Sequence, residues 1–286
     1  MNRRTFLKRL FASSIALIGT GGGTYYYAKE IEPSLLTIQE EVISSKKIPL
    51  TFNNFKIAQF SDTHIGFHYT NDQFNQLVKT INKQKPDCVV FTGDLVDMPN
   101  KFDWNEEIVQ SLINIQAPYG KFWIYGNHDH GGYGTDIVKD VMEKGGFTLL
   151  QNNHSIVKKN NSKFILVGLD DVMLGKPDIK EALTGVNPHY YTILLVHEPD
   201  FADTTKNYPV DVQISGHSHG GQIQIPFFGY IYTPHLAEKY VEGKYSVGGH
   251  PLQLFVSRGI GTTRLPYRFL CRPEITIFTL NSSEKE

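Results

Sequence analysis

The sequence predicts an α/β protein: a four-layer α/β/β/α sandwich of two mixed β-sheets flanked by helices. Three observations lead there. Apolar runs of strand length alternate with amphipathic helical segments through residues 56–144, the pattern of parallel strands joined by helical crossovers. From residue 154 onward helical periodicity gives way to hairpin and short-strand signals, which predicts a second, more antiparallel sheet. Short motifs rich in Asp, Asn and His stand directly after the apolar runs, and open α/β sheets gather ligands at the C-terminal ends of their strands.

Each element follows from local pattern. Residues 56–60 (Lys-Ile-Ala-Gln-Phe) read as a buried strand ending at Ser61-Asp62. Phe74, Leu77, Val78 and Ile81 recur at helical spacing over 71–85, and Pro86 stops that helix. Residues 88–91 are a continuous apolar strand ending at Thr92-Gly93-Asp94, and 105–116 repeat the helical spacing through Ile108, Leu112 and Ile115. Residues 122–125 form the third strand, before Gly126-Asn127, and a short helix over 136–144 closes on Gly145-Gly146. Residues 154–158 and 163–169 flank Lys159-Asn160-Asn161-Ser162, a hairpin signal. Apolar strands over 191–196 and 210–215 end at His197 and Gly216-His217. Short strands over 222–225, 244–247, 252–256 and 274–280 complete the second half.

The 286 residues, 40% hydrophobic, suffice for one large domain with a substantial core. A formal net charge of -1 and the lack of a basic stripe argue against a nucleic-acid partner. Two cysteines are too few for a disulfide framework; Cys88 sits in an apolar run and reads as a buried thiol, and nothing argues for its pairing with Cys271.

Residues 1–30 read as a targeting segment. Arg3-Arg4, then Phe6-Leu7 and Lys8, match a twin-arginine export signal, with Asn2 in place of the usual Ser or Thr. No charge occurs from Leu10 to Ala28, and the apolar stretch is diluted by Ser, Gly and Thr, which suits this route. An ordinary signal anchor is the alternative. Tyr25-Tyr26-Tyr27 suit a membrane interface, and both retention as an anchor and removal by a peptidase stay open. The implied partners are the twin-arginine export machinery and a membrane or cell wall. Residues 31–54 read as a linker and domain entry, with Pro33 and Pro49.

The chemistry lies in five motifs: Asp62-Thr63-His64, Gly93-Asp94, Gly126-Asn127-His128-Asp129, a lone His197, and Gly216-His217-Ser218-His219. Singly each has an ordinary explanation as a turn or a core histidine. As a set they supply carboxylate, amide and imidazole donors, which suit two adjacent divalent metals of intermediate softness. Two such ions are a device for phosphoester hydrolysis.

In this order the motifs resemble the calcineurin-like metallophosphoesterase superfamily, and residues 55–281 are expected to form that domain. The resemblance implies that Asp62, His64 and His219 hold one metal, that Asn127, His197 and His217 hold the other, and that Asp94 bridges both. It also implies that His128 faces the leaving-group oxygen as general acid or charge stabiliser. Asp129 is a candidate to orient His128, with a turn-capping role as the alternative. The implied cofactors are two divalent ions among Mn, Fe, Zn and Co, with Mn favoured. The tail strings Val256-Ser257-Arg258-Gly259-Ile260-Gly261, Leu265-Pro266-Tyr267-Arg268 and Arg272-Pro273-Glu274-Ile275 resemble the YkuE-like subgroup of exported phosphoesterases.

The expected function is hydrolysis of phosphodiester, phosphomonoester or pyrophosphate bonds outside the cytoplasm, at the outer face of the membrane or in the cell wall. A lipid-linked substrate, as for a UDP-2,3-diacylglucosamine pyrophosphatase, is one alternative; a non-catalytic scaffold is another, against which His128 and Asp94 both speak. His68, His130, His154, His189, His235 and His250 fall outside the pattern and read as surface or structural. Arg258, Arg264 and Arg268 read as surface charge, with phosphate contact as the alternative. The apolar stretch 225–232 reads as core, with a lipid-facing surface as the alternative.

Overall fold

A computed structural model describes residues 3, 20–130, 135–249 and 252–283. Apart from Arg3, the twin-arginine motif and the apolar stretch behind it lie outside the described residues, as does His250. Among the described residues, no helix is long and apolar enough to cross a membrane.

Two six-stranded sheets stack face to face. The first runs β1 (Thr37–Ser45), β14 (Glu274–Ser282), β2 (Phe55–Phe60), β3 (Cys88–Phe91), β4 (Lys121–Trp123), β5 (Thr148–Leu149). The second runs β12 (Gly243–Val247), β13 (Leu252–Val256), β9 (Val212–Ser215), β8 (Thr192–Leu195), β7 (Ser162–Gly168), β6 (Asn153–Lys159). A two-stranded hairpin, β10 (Gln224–Ile225) with β11 (Gly229–Tyr230), stands apart from both.

The faces between the sheets meet through Phe52, Phe55, Phe164, Phe255 and Phe278, all buried, with ring centroids 5.0–5.7 Å apart. Helices α1 (Asn71–Lys83), α2 (Glu106–Ile113) and α3 (Thr135–Lys144) cover the outside of the first sheet, burying Phe74, Leu77, Ile108, Leu112 and Val138 against Phe60, Phe91 and Trp123. The outside of the second sheet packs on the short helices α4 (Ile179–Ala182) and α5 (Ala202–Thr205). Local chemistry sets these helices: Thr70 and Gln73 close a capping box on α1, and the Asn105 side chain accepts the Glu107 N–H to start α2.

The structure corrects the sequence reading in three places. Residues 37–45 are a strand of the first sheet, not a linker. Only Ile43 of β1 is fully buried, because β1 is an edge held by parallel pairing to β14 along its whole length. The second sheet is less antiparallel than expected: β7, β8, β9 and β13 run parallel, and only its two outer pairs are antiparallel. Strand 274–280 belongs to the first sheet, antiparallel to β2 and parallel to β1.

Candidate metal centre

Five strands end at one place. Asp62 and His64 follow β2, Asp94 follows β3, Asn127 and His128 follow the loop after β4, His197 follows β8, and His217 and His219 follow β9. The two sheets thus present the C-terminal ends of their parallel strands to a common cleft, and every predicted ligand arrives there. Asp62, His64, Asp94, His197, His217 and His219 are all buried.

The ligand atoms fall into two sets. Asp62, His64 and His219 lie within metal-binding reach of one another, and so do Asp94, His197 and His217. Asp94 Oδ2 lies between the sets, 3.4 Å from His64 Nε2 and 3.3 Å from His197 Nε2. His64 Nε2 faces His219 Nε2 at 3.2 Å. Asn127 Oδ1 is buried with no hydrogen-bond partner among the described residues. An orphaned buried polar atom is costly, and one among carboxylates and imidazoles fits a site made for divalent ions.

Backbone groups set the ring orientations. His197 Nδ1–H donates to the Thr92 carbonyl at 2.6 Å, which leaves Nε2 for the cleft. His217 uses Nε2–H on the His235 carbonyl at 2.9 Å, which leaves Nδ1. The main chain is bent to match: Asp62, His64, Asp94, His217 and His219 all have φ between 42° and 67°, left-handed geometry that non-glycine residues rarely adopt. Gly126 and Gly216 provide the close approach. A Cβ on Gly126 would overlap the Asp94 carboxylate, and one on Gly216 would overlap Ser61 Oγ and Asp62 Oδ2.

Electrostatics divide the site. Burial pushes the Asp62 carboxyl up, with Asp94 adding to the shift. Burial acts the same way on Asp94, yet His197, His128 and His64 outweigh it and hold Asp94 well below the usual carboxylate range. Burial, with neighbouring His197, lowers His217 to about 3, and burial with His64 lowers His219; both rings are neutral, the form that ligates metal.

His128 lies on the cleft wall with its side chain 29% exposed. Its ring is not oriented by Asp129. The Asp129 carboxylate instead accepts the backbone N–H groups of Asp94, Leu95 and Gly126, so it braces the two ligand loops. The groups beside His128 Nδ1 belong to Asp97: the Asp97 carbonyl at 2.7 Å and its Oδ1 at 3.6 Å. The same Oδ1 stands 3.2 Å from His64 Nδ1. Sequence reading passed over Asp97; its signal is a second carboxylate three positions after Asp94 on the same loop.

The remaining candidates separate clearly. His68, His189 and His235 are exposed, His154 Nδ1–H donates to the Ala182 carbonyl, and His130 sits 2.8 Å from Asp170. Arg268 is not surface charge: it is fully buried and donates to the carbonyls of Gly261, Arg258 and Cys271. Arg258 pairs with Glu274, whereas Arg264 is exposed at the mouth of the cleft. Cys88 and Cys271 are buried free thiols.

Above the candidate ligands opens a cavity of about 380 Å³, lined by His64, Asp94, Asn127 and His128 and, on its apolar side, by Ile231, Leu265 and Met173. A stacked two-sheet α/β fold with two clustered ligand sets under an open cavity defines a metallohydrolase. The calcineurin-like phosphoesterase family model matches residues 55–221, which contain every ligand named above. The chain belongs to the calcineurin-like phosphoesterase family, and it is a hydrolase of phosphoric esters whose family uses a dinuclear metal centre.

Among its relatives is the metallophosphoesterase YkuE of Bacillus subtilis (strain 168), 46% identical over 284 residues, 99% of each chain. The phosphodiesterase YaeI of Escherichia coli (strain K12) is 28% identical over 98% of this chain and 99% of its own. The UDP-2,3-diacylglucosamine pyrophosphatase LpxG of Chlamydia trachomatis serovar D is 30% identical over 89% of this chain and 92% of its own.

Proposed function

We propose that this chain hydrolyses phosphodiester or pyrophosphate bonds of a substrate met outside the cytoplasm, after export by the twin-arginine route, with phosphomonoesters as poorer substrates. One observation carries the reading: a complete two-set ligand cluster lies beneath an open cavity whose wall carries His128. The phosphodiesterase and pyrophosphatase relatives support diester and anhydride bonds over monoesters. The location rests on Arg3-Arg4, Phe6-Leu7 and Lys8.

Asp62, His64 and His219 would hold one ion, Asn127, His197 and His217 the other, and Asp94 would serve both, with Mn the favoured metal. When bound, two divalent ions supply Lewis acidity that neutralises phosphoryl charge and activates the attacking water. The chain supplies the rest. Neutral His217 and His219 and anionic Asp94 are ready donors without reorganisation. Asp97 fixes the ring of His128, which gives its proton to the departing ester oxygen or stabilises the charge that develops there.

A lipid-linked nucleotide is a second reading, favoured by the apolar lining of the cavity and the likeness to the LpxG pyrophosphatase.

The test is apo-protein reloaded with Mn, Fe, Zn or Co and offered a panel of mono- and diester phosphates, nucleotide anhydrides and envelope lipids. Metal-dependent turnover of diesters or anhydrides is expected. His128→Ala should keep both ions and lose about a hundredfold or more in turnover. Retained metal with unchanged rate would remove His128 from the reaction, and absence of turnover with every metal would leave a scaffold.

A further inference from the structure

Half of the exposed large apolar side chains among the described residues lie in three segments, and the three are contiguous. The β10–β11 hairpin carries Phe227 and Phe228 at its tip, 106% and 88% exposed, with Ile225, Tyr230, Ile231 and Tyr232 on its arms. The loop 263–270 lies beside it: the Gln224 N–H donates to the Phe269 carbonyl, the Gln222 side chain bonds the backbone of Thr263 and Leu265, and the Arg264 guanidinium stands 4.8 Å over the Tyr232 ring. Leu265 and Leu270 are exposed on this loop. The third segment is the incoming chain. Residues 20–26 are helical, the Tyr25 ring meets Tyr267 at 5.6 Å, Tyr27 meets Phe269 at 6.4 Å, and the Arg268 N–H donates to the Ala28 carbonyl.

This surface contradicts the reading of 225–232 as core. It is also the rim of the catalytic cavity, since Ile231, Tyr232, Arg264 and Leu265 line that cavity. Among the described residues nothing covers the two phenyl rings at the hairpin tip, and so large an exposed apolar patch marks an interaction surface.

Two features select the occupant. Residues 20–28 enter the domain at this patch, and in the sequence they follow directly on the uncharged apolar stretch that begins at Leu10. Tyr25, Tyr26, Tyr230 and Tyr232 are exposed in these segments, with Lys29 5.8 Å from the Tyr25 ring and Arg264 over the Tyr232 ring, a composition that suits the headgroup layer of an anionic bilayer. We infer that this face docks on a phospholipid bilayer, with Phe227 and Phe228 inserted among the acyl chains. The mouth of the metal centre then opens at headgroup level. The substrate class that follows is an amphipathic phosphate ester or anhydride drawn from the membrane plane, its phosphate on the cavity floor and its hydrocarbon along Ile231 and Leu265. The substrate assignment rests on the phosphoesterase reading above; the docking itself does not.

The experiment uses full-length chain and vesicles of phosphatidylcholine with phosphatidylglycerol. In Phe228→Trp, indole emission should shift to the blue on vesicle addition and be quenched by lipid brominated on its acyl chains, whereas wild type, with Trp123 buried and Trp104 half-buried against Phe102, should respond less. The double variant Phe227→Ser, Phe228→Ser should hydrolyse soluble bis(p-nitrophenyl) phosphate like wild type and lose about tenfold or more on a long-chain phosphate ester presented in vesicles. Absence of quenching overturns docking, as does burial of the Trp in a concentration-dependent dimer without vesicles. Equal turnover of the vesicle substrate by the double variant overturns the substrate assignment. Failure of wild type on the soluble ester with every metal, with quenching intact, would instead sink the phosphoesterase reading and leave the docking face standing.

Discussion

The carboxylate of Asp129 clasps the backbone of Asp94: it accepts the Asp94 N–H at 2.6 Å, and the Leu95 and Gly126 N–H groups complete the grip at 2.9 and 3.1 Å. Asp94 has φ 63°, so the clasp pins it in a conformation it would otherwise leave. Asp129→Ala strands three buried donors and should cost about 3 kcal/mol or more. Urea unfolding of metal-free protein measures this directly; an unchanged midpoint would deny Asp129 its bracing role.

Asp97 touches both halves of the chemistry. Its Oδ1 stands 3.2 Å from His64 Nδ1 and 3.6 Å from His128 Nδ1, while its carbonyl holds His128 Nδ1 at 2.7 Å. Asp97→Ala therefore removes only the carboxylate. Metal affinity should fall by about 10- to 100-fold, read by competition with a chelating dye, while turnover at saturating metal falls less. A loss of turnover with affinity untouched would reverse this division of labour.

Gly126 has no room for a side chain. A Cβ there would overlap the Asp94 carboxylate and reach the His197 ring at 2.7 Å. Gly126→Ala should leave the far-ultraviolet circular dichroism of the fold intact, lower its stability by about 1–3 kcal/mol, and reduce bound metal per chain by elemental analysis. Full metal occupancy would show that the loop can yield.

Phe164 fills the space between the sheets, 5.1 Å from the Phe52 ring and 5.7 Å from Phe55. Phe164→Ala should cost about 3–5 kcal/mol in chemical unfolding without altering metal content of the folded protein. A cost under 1 kcal/mol would mean that the sheets close over the gap.

Legibility in the sequence followed the range of the interaction. Strand and helix alternation over 56–144 was readable because period and caps are local, as Thr70, Gln73 and Pro86 illustrate. The ligands were readable because each follows an apolar run, and the fold brings those runs to one cleft. β1 was not readable: its polar residues 39–41 belong to an edge whose pairing is all backbone, so no alternation betrays it. The place of β14 was hidden for another reason, since its partners lie more than 200 positions earlier. The sequence left Asp129 open between orienting His128 and capping a turn, because adjacency does not fix contact: successive residues in the Asn127-His128-Asp129 turn point to different neighbours. The hairpin 225–232 was misread because apolar composition alone does not say which side of the surface a segment lies on.

β14 lies between β1 and β2, parallel to one and antiparallel to the other. Residues 37–45 therefore have no strand to join until residues 274–282 have left the ribosome. The first sheet closes only after every strand of the second has been made, and the long separation between partners makes that docking slow.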